Sequence, residues 1–123
     1  MNAKILIIDD SGLTRRSLRA ILETAGCEVV EAEDGLTGLE HYYLEKPDVV
    51  ILDLVMRGMY GLQVLEKLRE LDPQARVVVV SADIQTSSQE LAQQAGAAAF
   101  VNKPFDKAEI LAALETALGG AGQ

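Results

Sequence analysis

Two hydrophobic periods alternate along this chain of 123 residues. Short runs rich in branched apolar residues are typical of strands in a buried sheet, and they predict strands at residues 4–8, 28–32, 49–52, 77–80 and 98–101. Apolar residues at helical spacing predict helices between residues 11 and 26, at 34–45, around 62–68, at 84–95 and at 106–118. Strands that alternate with helices favour a parallel sheet with helices on both faces.

The predicted helices differ in how clearly they show a buried face. For residues 34–45, the candidates for the buried side are Leu36, Leu39, Tyr43 and Leu44. Residues 84–95 are rich in Gln and Ser, so we expect that helix to be less buried. The pattern shows no internal repeat or linker. We therefore expect one domain at residues 1–118 and a disordered tail at 119–123.

Composition narrows the class of protein. The net charge of −8 argues against default binding to nucleic acid or to an anionic membrane, because both favour a surplus of Lys and Arg. Cys27 is the one cysteine, which excludes an intrachain disulfide and favours a reducing compartment. The sequence shows no signal peptide and no apolar run approaching the roughly 20 residues of a spanning helix. We expect a cytoplasmic protein.

Charged residues stand where buried strands are predicted to end. Asp9 and Asp10 follow the first strand, Asp53 follows the third, and Lys103 follows the fifth. Ligands bind in the crevice at the carboxyl ends of parallel strands. Two carboxylates about 4 Å apart repel by roughly 4 kcal/mol at an effective dielectric of 20, so such a cluster favours a cation. Oxygen ligands alone suit Mg²⁺, and one cysteine with one histidine offers no zinc ligand set.

The same residues suit phosphoryl transfer. A carboxylate can attack phosphorus and form an aspartyl phosphate, while the protein supplies position and charge neutralisation. Mg²⁺ would neutralise one side of the phosphoryl group and Lys103 the other. Ser81, directly after the run 77–80, offers a hydroxyl for a third phosphoryl oxygen.

Four motifs together resemble the response-regulator receiver domains, the CheY-like family, over nearly the whole chain. They are Asp9–Asp10–Ser11, Asp53–Leu54, Ser81–Ala82 and Lys103–Pro104–Phe105, in order and each at a predicted strand end. The resemblance implies a flavodoxin-like, doubly wound sheet of five strands. Its order, 2-1-3-4-5, comes from the family, for which CheY is itself the standard example, and not from the pattern.

The resemblance also implies a role for each site residue. Asp53 would be the phosphoryl acceptor, and Lys103 and Ser81 would contact the phosphoryl group. The Mg²⁺ ligands would be Asp10 directly, Asp9 through water, Asp53, and the main-chain carbonyl of Val55. Ser81 and Phe100 would form the switch that reports phosphorylation. The Lys103–Pro104 peptide bond would be cis, an isomer accessible before proline.

The loop after Asp53 departs from the family pattern. Arg57 stands where Pro is common and Tyr60 where Asp is common, whereas Gly61 is in the expected place. We therefore expect the third helix to begin with a looser or different cap. Val55 and Asp83 occupy positions that tune dephosphorylation in this family. Phe100 lacks the hydroxyl of Tyr, so any switching by it must act through ring packing.

The sequence thus predicts a stand-alone response regulator of a two-component system that is not an enzyme beyond its own phosphorylation and dephosphorylation. The phosphodonor would be a histidine kinase. Output would pass through the face of the fourth helix, fifth strand and fifth helix. Its target could be a flagellar motor switch in chemotaxis, a relay kinase or another effector, and the protein would be a monomer or a weak dimer.

Other interpretations remain open. A lone Asp9–Asp10 pair is more often a solvated turn, and Phe100 is as plausible a core residue as a switch. An adaptor that works without phosphorylation would keep the fold and lose Mg²⁺ binding. An aspartate-based phosphohydrolase would want a second acid at position 55, which is Val. A flavin-binding protein would want a phosphate loop where the acidic pair stands.

Overall fold

The computed structural model describes residues 1–56, 58, 60–83 and 85–119, which form a five-stranded parallel sheet flanked by helices. The strands are β1 Lys4–Ile8, β2 Glu28–Ala32, β3 Val49–Leu52, β4 Val77–Ser81 and β5 Ala99–Asn102. The helices are α1 Gly12–Thr24, α2 Gly35–Glu45, α3 Gly61–Leu71, α4 Thr86–Gln94 and α5 Lys107–Gly119. The sheet order is β2-β1-β3-β4-β5, which confirms the predicted fold class.

The sheet separates two layers of core. Alternate residues of β1 point to opposite faces, so Ile5 and Ile7 pack with α1 and α5, and Leu6 and Ile8 pack with α2, α3 and α4. All residues of β3 and β4 are buried. Central strands covered on both faces need branched apolar side chains throughout, which is why these runs were readable in the sequence. No helix in the described ranges is long and apolar enough to cross a membrane.

The buried face predicted for α2 is wrong for three of its four residues. Leu36, Tyr43 and Leu44 are 65%, 79% and 68% exposed, while Leu39 is half-buried. The residues of α2 that are buried are Gly35 and Gly38. A Cβ at Gly38 would lie 2.6 Å from Cδ1 of Ile8, so the missing side chain lets α2 approach β1 closely. Contact through glycine turns the larger apolar residues outward.

Several boundaries differ slightly from those predicted. Ser81 is the last residue of β4, and β5 runs one residue later than the apolar run. The helix predicted at 84–95 is α4, Thr86–Gln94, and Ile84 lies outside the described residues. Gly119 still belongs to α5, and the rest of the predicted tail, 120–123, is likewise outside them. The capping box of α5 is present, with Asp106 and Glu109 each accepting from the other's N–H at 2.8 and 3.0 Å.

Candidate functional site

The ends of β1 and β3 carry two buried carboxylates side by side. Asp9 follows β1, and its N–H donates to Ala32 O at 3.1 Å. Asp53 follows β3, and its N–H donates to Ile8 O at 3.0 Å. The sheet ladder therefore continues one residue past each strand and fixes both main chains. Asp9 is 2% exposed and Asp53 5%, so water screens their charges poorly.

The ammonium group of Lys103 joins these two carboxylates. Its Nζ lies 3.0 Å from Asp9 Oδ2 and 3.0 Å from Asp53 Oδ2. Burial raises the pKa of Asp9, and hydrogen bonds from Ser11 N–H and Lys103 offset only part of that rise. Burial would lower the pKa of Lys103, but its bonds to the two carboxylates outweigh burial and hold that pKa above its ordinary value. Lys103 is therefore a fixed positive charge at neutral pH.

Asp10 completes an acidic pocket, the set Asp9, Asp10 and Asp53. One carboxylate oxygen from each residue lies within 4.8 Å of the other two. Three carboxylates carry more negative charge than one ammonium balances, which favours a further cation. Oxygen donors without sulfur or imidazole suit a hard ion that keeps several waters. The residues present therefore fit Mg²⁺.

Main-chain donors orient the carboxylates before any ligand arrives. Ser11 N–H donates to Asp9 Oδ1 at 2.9 Å, and Val55 N–H donates to Asp53 Oδ1 at 3.1 Å. Each buried aspartate thus has one oxygen held by the backbone and the other by Lys103. Fixing both side chains in this way lowers the cost of ordering them around a ligand.

Gly61, at the start of α3, packs closely against the main chain of Asp53 and Leu54. At Gly61 an added Cβ would fall on the Asp53 carbonyl oxygen and the Leu54 Cα, so glycine is required there. The Gly61 N–H donates to Leu54 O at 2.9 Å. Among the described residues, the Tyr60 side chain makes no capping bond to α3, which agrees with the expected weaker cap. Arg57, also singled out in the loop after Asp53, lies outside the described residues.

Ser81 and Phe100 lie on the neighbouring strands. Ser81 is fully buried, and its Oγ accepts from the Asp83 N–H at 3.2 Å. The Lys103 N–H donates to Ser81 O at 2.9 Å, so the ends of β4 and β5 are tied together. Phe100 is half-buried beside a cavity of about 250 Å³ between α4 and β5. The Lys103–Pro104 bond is cis, as predicted.

The structure therefore brings Asp9, Asp10, Asp53 and Lys103 into one pocket. Val55 contributes its N–H to Asp53, and its side chain is 56% exposed. Whether its carbonyl binds a metal stays a prediction.

Sequence reasoning missed one residue at this site, Arg15. Its Nη1 donates to Asp9 O at 2.6 Å. No local sequence pattern predicts this contact, because any residue can supply the main-chain carbonyl that the Arg15 side chain binds.

Comparison with known proteins identifies the family that the chain matches. A family model described as the response regulator receiver domain matches residues 5–115. The chain is 40% identical over 119 residues to the chemotaxis protein CheY of Bacillus subtilis, covering 96% of this chain and 99% of that protein. It is 34% identical to sporulation initiation phosphotransferase F of the same species, covering 89% of each. A CheY-like receiver domain protein from Methanospirillum hungatei has a crystal structure that matches with a TM-score of 0.92 at 27% identity, covering 99% and 98%.

Proposed function

Because the chain belongs to the response-regulator receiver domain family, we propose that it is a phosphorylation switch whose acceptor is Asp53. The observation that carries the proposal is the position of Lys103 Nζ, 3.0 Å from both Asp9 and Asp53, beside the third carboxylate of Asp10. An ammonium group held between carboxylates at strand ends balances their negative charge, whereas it contributes little to hydrophobic packing. Receiver domains bind Mg²⁺ at such an acidic pocket.

In the proposed reaction, a carboxylate oxygen of Asp53 attacks the phosphorus of the donor. The new bond is Asp53 O–P, and the bond that breaks joins phosphorus to the donor's imidazole nitrogen or acyl oxygen, which leaves with the electron pair. Asp9, Asp10, Asp53 and the Val55 carbonyl would hold Mg²⁺, which supplies charge neutralisation when bound. Lys103 moves its hydrogen bond from Asp53 to the transferred group.

Ser81 and Phe100 would convert the phosphoryl group into a changed surface. Ser81 would exchange its bond with the Asp83 N–H for one to a phosphoryl oxygen. Phe100 would then repack into the space that Ser81 vacates. Its ring is half-buried and borders a cavity of about 250 Å³, so it is not packed on every side. The face formed by α4, β5 and α5 would present the change. Phosphorylation must favour the new state by a few kcal/mol to shift its population.

We infer a histidine kinase as phosphodonor and a protein target as output, with both encounters in the cytoplasm. Receiver domains of this type are signalling domains in general, and we propose that catalysis here is limited to the domain's own phosphorylation and dephosphorylation. The similarity to a chemotaxis protein and to a sporulation phosphotransferase supports a motor switch and a relay as the two targets to test first.

The direct test measures phosphoryl incorporation from acetyl phosphate with and without Mg²⁺. We expect the wild type to take up one phosphoryl group only with Mg²⁺, and Asp53→Asn to take up none. Asp106→Asn is the matched control, because asparagine caps a helix about as well as aspartate. Equal labelling of Asp53→Asn and wild type would remove Asp53 from the role of acceptor.

The alternative is an adaptor with a receiver fold that works without phosphorylation. The preset contacts of Lys103 with Asp9 and Asp53 speak against it, because they hold charged groups that an adaptor does not need. If the protein were such an adaptor, the wild type and Asp53→Asn would bind the partner with equal affinity. Treatment with acetyl phosphate and Mg²⁺ would change neither affinity.

A further inference from the structure

Arg15 is the side chain that joins α1 to the main chain of the acidic pocket. Its Nη1 donates to the carbonyl oxygen of Asp9 at 2.6 Å, and its Nε donates to Glu31 Oε1 at 2.9 Å. The Arg15 side chain is 17% exposed, so water competes weakly for these bonds. One guanidinium thus connects α1, β2 and the turn after β1.

The carbonyl that accepts the hydrogen bond from Arg15 belongs to the peptide that links Asp9 to Asp10. A peptide unit is planar, so its carbonyl oxygen and the two flanking Cα atoms move as one rigid plate. The N–H of Asp9 is already fixed by Ala32 O at 3.1 Å. Holding the carbonyl as well therefore restrains the Asp9–Asp10 peptide, and with it the position of the Asp10 Cα from which the carboxylate projects.

Glu31 keeps the guanidinium in this position. Its Oε2 accepts from Arg19 Nε at 2.6 Å, and Arg19 Nη1 in turn donates to Glu23 at 2.9 Å. Two arginines alternate with two glutamates along this chain of bonds. The carboxylate of Glu31 also offsets the positive charge of Arg15, which would otherwise repel a divalent cation nearby.

We propose that Arg15 is a positioning residue for Mg²⁺, acting by holding the Asp9–Asp10 peptide so that both carboxylates face the ion; this inference rests on the Mg²⁺ site of the proposed function. Outer groups that orient metal ligands typically change metal affinity by about 10–100-fold when they are removed. Arg15 touches the ligands' main chain, and nothing in the proposal requires it to touch the phosphoryl group.

The test compares Arg15→Met with wild type, and uses Arg16→Met as the control because it makes the same charge change at an exposed position of α1. Titration calorimetry with Mg²⁺ alone should give a dissociation constant about ten-fold larger for Arg15→Met and within about two-fold of wild type for Arg16→Met. The Mg²⁺ concentration for half-maximal phosphorylation should rise by the same factor, while the rate at saturating Mg²⁺ stays within about two-fold. A merely structural role would lower the melting temperature and leave the Mg²⁺ constant unchanged.

Arg15→Lys separates geometry from charge. One ammonium can reach only one of the two acceptors that the guanidinium fork bridges, so Mg²⁺ binding should stay about five-fold weaker. If Arg15→Lys binds Mg²⁺ with a dissociation constant within about two-fold of the wild-type value, a positive charge at position 15 is sufficient and the proposal is overturned. Combining Arg15→Met with Glu31→Ala should add no further loss, since Glu31 is argued to act through Arg15. A fully additive loss would contradict that coupling.

The failures of the two proposals are distinguishable. If the wild type binds Mg²⁺ but Asp53 takes up no phosphoryl group, the proposed function fails. Weaker Mg²⁺ binding by Arg15→Met would then still support the role of Arg15. If the wild type is phosphorylated on Asp53, the proposed function stands. Unchanged Mg²⁺ binding by Arg15→Met would then overturn this inference alone. Absence of Mg²⁺ binding by the wild type overturns both.

Discussion

Two of the helices that begin beside the site, α1 and α4, are held very differently. At the start of α1, the Ser11 hydroxyl accepts from the Thr14 N–H at 3.2 Å, and the helix buries Leu18 and Leu22. Within α4, which is described throughout, Ala92 alone is buried, and the Gln85 side chain at its start makes no capping bond. Capping bonds and buried apolar contacts both raise the cost of local opening. Asp83 does tie the start of α4, accepting from Gln85 N–H at 3.1 Å and from the Ser88 hydroxyl at 2.6 Å, but α4 buries less apolar surface than α1. We therefore expect local opening to cost less on the α4 side than on the α1 side.

The strands show the same contrast. The first and third strands are almost entirely buried, and the aspartates that follow them are held by main-chain donors and by Lys103. In β5, Val101 is buried but Phe100 is only half-buried beside a cavity. The proposed switch would use the firmly held Asp53 side for chemistry and the less buried β5 and α4 side for the response.

The largest effect should follow removal of the ammonium. Lys103→Met leaves two carboxylates, each more than nine-tenths buried, without their cation, so the free energy of unfolding without Mg²⁺ should fall by about 3 kcal/mol. Because the pKa of Asp9 is already raised, the loss should shrink as pH falls and that carboxyl takes up a proton. Urea unfolding at several pH values measures both effects.

Mg²⁺ should restore part of this stability by compensating the negative charge that Lys103→Met leaves unbalanced in the pocket. Lys107→Met, an exposed cation at the start of α5, is the control and should change stability little. A Lys103→Met protein as stable as wild type without Mg²⁺ would show that the acceptor side is not held by charge balance.

The second largest effect should follow from filling the space between Gly61 and the main chain of Asp53. Gly61→Ala places a Cβ against the Asp53 carbonyl, which is backbone and cannot turn aside, so we expect a loss of about 2 kcal/mol and slower phosphorylation. At Gly119 an added Cβ meets nothing within 4 Å, which makes Gly119→Ala the matched control. Thermal unfolding and acetyl phosphate labelling of the two variants compare directly. Equal behaviour would mean that the loop adapts more easily than its packing indicates.

Most of the fold was readable because the central strands are buried on both faces. The runs at β1, β3 and β4 consist of branched apolar residues, and the acidic or hydroxyl residue at each carboxyl end marked the site. The parallel sheet then brought Asp9, Asp53 and Lys103 together, although they are distant in sequence. Topology supplies that proximity once the strand order is known.

Two features were missed by sequence reasoning, for different physical reasons. The buried side of α2 was misjudged because hydrophobic spacing favours large residues, whereas the contact with Ile8 is made through Gly38. Two glycines three residues apart, Gly35 and Gly38, were the signal that could have indicated a close approach. The bond from Arg15 to the Asp9 carbonyl depends on tertiary geometry, and the sequence carries no local sign of it.

On the α4 side the expected effect is smaller. Phe100→Ala removes a half-buried ring, so we expect a loss of about 1.5 kcal/mol, roughly half of that for a fully buried Phe. Phosphorylation of Asp53 by acetyl phosphate should stay within about two-fold of wild type, because the acceptor pocket does not include the ring. Strongly reduced labelling of Phe100→Ala would contradict the separation of chemistry from response.

The smallest effect tests the bonds around α1. Burial would raise the pKa of Glu31, but the hydrogen bonds from Arg19 and Arg15 together outweigh burial and hold that pKa below its ordinary value of 4.5. A lowered carboxyl pKa stabilises the fold above the ordinary value, and that contribution is lost as pH falls through the folded-state pKa. Glu31→Gln should therefore cost about 0.5–1 kcal/mol at neutral pH, and this cost should shrink as pH falls below the ordinary value of the glutamate pKa. Glu115→Gln, exposed on α5, is the control, and a pH-independent difference for Glu31→Gln would contradict this cause.

Amide hydrogen exchange, read by mass spectrometry with acetyl phosphate and Mg²⁺ present or absent, tests most directly whether a phosphoryl group on Asp53 is communicated to the α4 side. We predict altered exchange in α4 and β5 of the wild type, little change in α2, and no response in Asp53→Asn. Identical responses of wild type and Asp53→Asn, or a change confined to α2, would contradict the account.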